Sequence, residues 1–264
     1  MRQFDFGENW QNFVTKALTE QSADYARRDF ISLFDGINLT DSWFLDVGFG
    51  QGLSMFCAAE QGAHVVGLDL NEKNMQTLDI TARWFPKVKR DRLVIRTGSI
   101  LSKTISRELK AVRPEGYDVV HAWGVLHHTG NMAQALGICA DLLKPGGHLV
   151  VSIYNSHWTS PLWKILKQVY CFSPAAIKKT IIYSFAPLIW VAKLCVTKKR
   201  PSKKERGMDF FFDVVDWVGG YPYEYASIEE FSKLCLRKNL ITVRVSPAIV
   251  PTGCNEFVFR REFA

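Results

Sequence analysis

Three glycines at alternate positions, Gly48, Gly50 and Gly52, follow an aspartate, Asp46, in the stretch FLDVGFGQGL (residues 44–53). Glycine lets a backbone turn sharply and come into contact with a ligand, and such a loop between an apolar run and a helix is a common cradle for nucleotides. A second acid, Asp69, closes the next apolar run about twenty residues later, where a carboxylate accepts both hydroxyls of a ribose. Farther on, His127 and His128 stand side by side, and histidine is the side chain most often used to take a proton near neutral pH. These residues leave three chemistries open: a redox dinucleotide, a phosphate group or a methyl donor.

Spacing narrows the choice. A dinucleotide fingerprint is G-x-G-x-x-G, whose third glycine lets the helix pack closely while its N-terminus carries the pyrophosphate. Here the position three beyond Gly50 is Leu53. S-adenosylmethionine has no phosphate, so its loop must allow close backbone approach, with backbone amides and the preceding acid serving the methionine carboxylate and ammonium. Each residue also has a plainer reading. The glycines make an ordinary tight connection, and Asp69 caps the following helix.

Stepping outward, strands and helices alternate around these positions. Residues 43–48, 64–70, 92–98, 117–124 and 148–155 read as five buried strands. Helices are expected over 53–62, 71–85, 103–112 and 131–147, the last stopped by Pro145-Gly146-Gly147, and residues 24–37 place Tyr25, Phe30, Leu33 and Phe34 near helical spacing. Near-continuous apolar strands between helices predict a parallel sheet covered on both faces. The rhythm breaks after Asn155 for an aromatic and basic insertion. It resumes with a helix whose start is fixed by a capping box, Ser227 with Glu230, and with two final strands, ITVRVS and NEFVFRRE.

At 264 residues, 47% hydrophobic and 22% charged, the chain is expected to fold as one α/β domain with a packed core. The expected divisions are N-terminal helices (1–40), a cofactor-binding core (41–155), an insertion or lid (156–226) and a C-terminal helix and hairpin (227–264). Six cysteines lack any metal-ligand or C-x-x-C spacing and read as reduced thiols. The opening MRQFDFGENW has acids and no apolar signal core, so a cytoplasmic location is expected. Net charge is +7, but residues 157–206 hold eleven Lys/Arg against the single Glu205 and leave the rest net acidic.

Together these residues resemble a class I S-adenosylmethionine-dependent methyltransferase. LDVGFGQG, VVGLD, GSIL, YDVVHAWGVLHHTG and LKPGGHLVVSIYN follow that superfamily in order and spacing over nearly the whole chain. AWGVLHHTGNM, IYN, RGMDFFFDVVDWVGGYPYEYAS and GCNEFVFRR are similar to a bacterial group related to ubiquinone-type methylases. The resemblance implies a Rossmann-like, doubly wound, seven-stranded sheet with an antiparallel last hairpin. It implies S-adenosylmethionine as cofactor and S-adenosylhomocysteine as product. By position, Asp46, Gly48, Gly50 and Gly52 line the methionine end, Asp69 holds the ribose, Leu70 lies beside the adenine, and Gly98, Ser99 and Ile100 form the adenine rim. Ser99 stands where many relatives carry an acid. Trp123 falls where cofactor meets substrate.

Methyl transfer is an in-line displacement at an activated carbon, so orientation supplies much of the rate and a base is needed only when the acceptor loses a proton. In related small-molecule enzymes a residue at the His127 position serves as base, and His128 matches a histidine common in the superfamily. Both also have purely structural readings. No metal is expected, since adjacent histidines without a nearby acid make a poor site and the magnesium-holding aspartates of catechol-type enzymes are not evident. Aromatics near Gly219-Gly220, namely Trp217, Tyr221 and Tyr223, with Tyr154 and Asn155, are candidates for a substrate wall on a loop; the alternative is that they cover the core edge.

The insertion's apolar run, residues 181–192, is twelve residues interrupted by Pro187, too short to span a bilayer of about 30 Å. Three uses stand open: a lid of short helices, a basic and aromatic surface lying on anionic lipid, or association with a partner or second copy. Trp163, Trp190 and the KKRPSKK cluster suit the lipid reading. Nucleic acid is disfavoured because neither an N-P-P-Y type motif nor a Pro-Cys nucleophile accompanies the charge. The expected function is methyl transfer to oxygen, before nitrogen, of a small or lipid-linked molecule. The alternatives are an RNA methyltransferase and a binding protein that keeps the fold without the chemistry.

Overall fold

The computed structural model describes residues 3–198 and 209–263. Seven strands form one sheet: β1 (Trp43–Val47), β2 (His64–Asp69), β3 (Leu93–Thr97), β4 (Tyr117–Trp123), β5 (Leu143–Tyr154), β6 (Leu240–Ser246) and β7 (Cys254–Arg261). Their spatial order is β3-β2-β1-β4-β5-β7-β6. β7 runs antiparallel to both β5 and β6, and the remaining pairings are parallel. This is the Rossmann-like seven-stranded arrangement anticipated from the strand pattern. Order reverses between β1 and β4, so the loops after these two strands diverge and leave a crevice at their carboxyl ends, the usual ligand position in open α/β sheets.

Both faces of the sheet are covered because the parallel strands are apolar on both sides. One face packs on α5 (Lys103–Val112), α6 (Met132–Leu142) and α10 (Ile228–Leu236) through Leu109, Leu136, Cys139 and Phe231. The other packs on α1 (Phe6–Lys16), α2 (Glu20–Leu33), α3 (Leu53–Glu60) and α4 (Lys73–Thr81) through Phe13, Phe30, Met55 and Phe56. Fully buried side chains of this size contribute about 2 kcal/mol each by removal from water. α2 stops at Leu33, short of the helix expected to residue 37, with Phe34 as its C-cap. Its buried face is set by Ala23, Ala26 and Phe30; Tyr25 lies partly exposed under Arg28.

The insertion differs from its sequence reading. Instead of short helices it forms α7 (Ser160–Phe172) and a 23-residue α8 (Ala175–Thr197), followed by α9 (Phe210–Gly219). α8 runs through Pro187, and by length and composition it is long and apolar enough to cross a membrane. The expectation of a twelve-residue run is thereby corrected: lysines at 178, 179 and 193 bound the apolar count without ending the helix. These three helices share a small core of Tyr170, Cys171, Ile182, Val214 and Val218. Trp217 is on α9, and Gly219-Gly220 end that helix, so the aromatic segment is not the continuous loop expected. Of KKRPSKK, residues 199–204 lie outside the described residues.

The capping box forms as its spacing requires. The Glu230 amide donates to Ser227 Oγ at 3.1 Å and the Ser227 amide to Glu230 Oε2 at 2.8 Å. Ser227→Ala is expected to cost about 1 kcal/mol. Urea unfolding should show a lower midpoint with an unchanged slope.

Candidate active site

The loop after β1 is held in left-handed backbone conformations at Gly48 (φ 73°), Gly50 (φ 53°) and Gly52 (φ 80°). Space confirms the need for glycine: a Cβ on Gly48 would lie 2.4 Å from Val125 Cγ2, and one on Gly50 2.9 Å from Trp10 Nε1. The loop is tied to the end of β2, with the Gly50 amide donating to Asp69 Oδ2 at 2.9 Å. Asp69 Oδ1 accepts the Asn71 amide at 2.8 Å. Burial pushes the Asp69 carboxyl upward, and these amide bonds oppose the shift. The amides of Gly48 and Phe49 donate to the Leu68 carbonyl, and that of Gly52 to the Phe49 carbonyl. Most loop amides are therefore engaged within the protein.

A cavity of about 1730 Å³ opens at this loop. That exceeds the few hundred to about a thousand Å³ typical of a single-ligand pocket, which leaves room for two ligands. Every residue assigned to the cofactor lines it: Asp46, Gly48, Gly50, Asp69, Leu70, Gly98, Ser99, Ile100 and Trp123, apart from Gly52. Gly52 faces Leu78 behind the loop. Leu70 is 58% exposed at the rim, a free apolar surface on which a planar base can lie. The Ser99 hydroxyl accepts the Leu101 amide at 3.2 Å, which fixes the turn after β3.

The two histidines after β4 occupy different environments. His127 is buried, and its Nδ1 accepts the Tyr154 amide at 3.3 Å. With Nδ1 as acceptor, the neutral ring carries its proton on Nε2. His128 is arranged the other way. Its Nδ1 lies 2.6 Å from the Pro222 carbonyl, so Nδ1 donates and Nε2 is left as an acceptor. Burial, then the charge of Lys167, lower its pKa to about 3, and burial drives His127 well down too.

Among the expected substrate residues, Tyr154 and Trp217 line the cavity. The other three do not reach it. Asn155 spends its side chain on the Pro251 carbonyl and on Asn255, Tyr223 is 2% exposed behind Tyr154 with ring centroids 4.9 Å apart, and Tyr221 packs with the insertion's core. The expectation for Asn155, Tyr221 and Tyr223 is corrected accordingly. The alternation of β5 turns Tyr154 inward and its successor outward.

Several site residues escaped the sequence reading. Trp10 of α1 covers Gly50, and Asp5 is tied to Lys73 at 2.7 Å and to Asn71 at 2.8 Å, fastening the N-terminal helix over the loop. Lys167 is buried inside α7, bonded to the Trp217 carbonyl and facing the rings of Tyr154 and Tyr223 at 5.1 and 4.9 Å. Asp216 borders the cavity with a buried Oδ1 that has no hydrogen-bond partner. Burial raises its pKa while Lys167 opposes the rise. One sequence signal existed for Lys167: it shares a helical face with Trp163, Tyr170 and Cys171.

This order of strands, with a glycine loop and an acid at adjacent strand ends, defines a Rossmann-like nucleoside-binding α/β protein. The chain belongs to the methyltransferase domain family, whose sequence pattern matches residues 18–187. It is 31% identical over 124 residues to a ubiquinone biosynthesis O-methyltransferase of Photobacterium profundum, covering 46% of this chain and 48% of that protein. The same enzyme of Aliivibrio fischeri is 32% identical over the same shares. The chain thus spans about half the length of the curated relatives it matches. Two solved structures share the fold. Magnesium protoporphyrin IX methyltransferase from Synechocystis, with bound S-adenosylhomocysteine, has a TM-score of 0.53 at 15% identity, covering 92% of this chain and 83% of that one. An N1-methyltransferase of didemethyltoxoflavin from Burkholderia thailandensis has a TM-score of 0.51 at 14% identity, covering 93% and 80%.

The histidine pair has a consequence for acid stability. His128 is free to protonate near 6.5 when unfolded and near 3 when folded. Between those values the unfolded chain binds protons that the folded one refuses, so stability falls as pH falls through this window. His128→Gln is expected to make stability less dependent on pH below 6.5, read by urea titrations from pH 7 to 4.

Proposed function

We propose that the protein transfers a methyl group from S-adenosylmethionine to a hydroxyl of a small or lipid-linked acceptor, with amines a less favoured class. The observation that carries this reading is the single cavity running from the pinned glycine loop and Asp69 to His128 and Trp217. The donor supplies a methyl carbon already activated by its sulfonium. Asp69, already holding the Gly50 and Asn71 amides and the Asn74 side chain, retains acceptor capacity toward the ribose hydroxyls, and Leu70 and Ile100 flank the base. Two groups of the chain then act on the acceptor.

Trp217 and Tyr154 confine an aromatic or aliphatic body, which favours a near-attack geometry. His128, with Nδ1 fixed by Pro222, offers its unprotonated Nε2 as a hydrogen-bond acceptor that aims the hydroxyl oxygen at the methyl carbon. With its pKa held near 3 the imidazole does not keep the proton, which passes to solvent as the new bond forms. This reverses the preference for His127 drawn from the family, because His127, although it borders the same cavity, is 1% exposed and has its Nδ1 taken by the Tyr154 amide. Calorimetry with S-adenosylhomocysteine is expected to show binding at micromolar concentration, whereas NAD should not bind. With a hydroxyl-bearing acceptor, His128→Ala should lower kcat by about two orders of magnitude with product affinity unchanged. Unchanged kcat would remove His128 from the role.

The same reading includes a membrane surface as the place where a lipid-linked acceptor is met. Leu162, Ile165, Val169 and Phe172 form an exposed apolar stripe along α7, continued on α8 by Tyr183, Leu188 and Val191, and Trp158 beside them is 80% exposed. No acid occurs from Ser156 to Lys198, while Lys164, Lys178 and Lys179 flank the stripe. Ile189, Ala192 and Val196 on the opposite side of α8 line the cavity. A helix that walls the site on one side and is apolar on the other suits lying in the interface better than spanning it. Vesicles of phosphatidylglycerol and phosphatidylcholine should pellet about tenfold more protein than phosphatidylcholine alone. Leu162→Glu with Ile165→Glu should abolish the difference, and equal pelleting on both vesicles would remove the anionic surface from the reading.

A further inference from the structure

Asp46 and His121 stand opposite each other in the register of β1 and β4. Each is 2% exposed, and His121 Nδ1 lies 2.7 Å from Asp46 Oδ1. Both border the cavity at the point where the glycine loop begins. The imidazole is itself confined. Phe34 and Phe44 lie against it with centroids at 5.8 and 5.7 Å, and Trp123 lies parallel to it at 5.9 Å and 8°.

A carboxylate this deep in an apolar face persists only if a donor compensates for its lost water. The engaged loop amides described above do not serve Asp46, and among the described residues the one side chain that does is His121. Because three aromatic rings fix the imidazole plane, the imidazole in turn fixes which oxygen of Asp46 is occupied. The other oxygen is left for a positively charged group entering the cavity. We infer that His121 is a positioning residue for the amino-acid end of the methyl donor, holding the Asp46 carboxylate where it receives the donor's ammonium group. Trp123, stacked on the same imidazole, ties this end of the donor to the acceptor space. The inference rests on the methyl-donor reading above and adds to it a residue that neither touches the reacting atoms nor belongs to the glycine loop.

Two probes separate this role from a merely structural one. S-adenosylhomocysteine carries the amino-acid end, and 5′-methylthioadenosine keeps the nucleoside and thioether without it. His121→Phe, which preserves the aromatic stack, should weaken S-adenosylhomocysteine binding about tenfold or more by calorimetry. Its affinity for 5′-methylthioadenosine should stay within about twofold of wild type. His121→Asn, which returns a donor near Nδ1, should recover most of the loss. Asp46→Asn should weaken S-adenosylhomocysteine similarly, and adding His121→Phe to it should cost nothing more. Equal loss for both probes, or none for either, overturns the inference; if the Phe variant does not fold, full S-adenosylhomocysteine affinity in Asp46→Asn overturns it as well. A wild-type protein that binds neither probe instead overturns the methyl-donor reading itself.

Discussion

The bond from the Gly50 amide to Asp69 is the constraint on which the site depends. It joins the loop after the first strand to the end of the second, so the two elements that meet the cofactor cannot drift apart. That closeness is sterically exacting. The backbone must bend left-handed at three places, and side chains from α1, from the turn after β4 and from α4 press on it. L-residues resist such conformations by roughly 1–2 kcal/mol each. The glycines are therefore a packing requirement of the loop itself.

The insertion obeys a different logic. Its three helices have a small core of their own, and Lys167 is bonded at the centre of their junction with the sheet. A lysine buried among tyrosines and beside a carboxylate costs desolvation that an apolar residue would not. Its hydrogen bond to the Trp217 carbonyl joins α7 to α9, both of which contribute side chains to the cavity wall. The outer side of the same insertion is apolar where most surfaces are polar, and the two sides make opposite demands on one pair of helices.

Much of the fold was legible because its signals are local. Buried parallel strands are short apolar runs, the capping box is a three-residue spacing, and the loop is a glycine pattern. Most residues expected at the cofactor border one cavity for the same reason, since the sheet delivers strand ends to one edge. The acceptor side was less legible. Whether Tyr154 or Asn155 faces inward depends on strand parity, and whether Tyr223 borders the cavity depends on what packs in front of it. α8 was underestimated because a proline and flanking lysines dilute an apolar count, although neither prevents a helix whose neighbours supply packing. His121 did carry a signal, a polar residue inside the apolar run YDVVHAWG, where it pairs with the equally out-of-place Asp46.

The N-terminal helix has a place in both halves of the site. Trp10 lies on Gly50, Phe13 packs on Phe212 at 5.9 Å, Asn9 donates to the Phe212 carbonyl, and Phe4 donates to the Tyr221 carbonyl. The N-terminal helix and the residue stretch before it thus rest on the glycine loop and on the insertion together. A displacement of α1 would therefore uncover Gly50 and loosen α9 together. The glycine loop and the insertion are mechanically joined through this one helix, so a substitution at either contact is felt at the other.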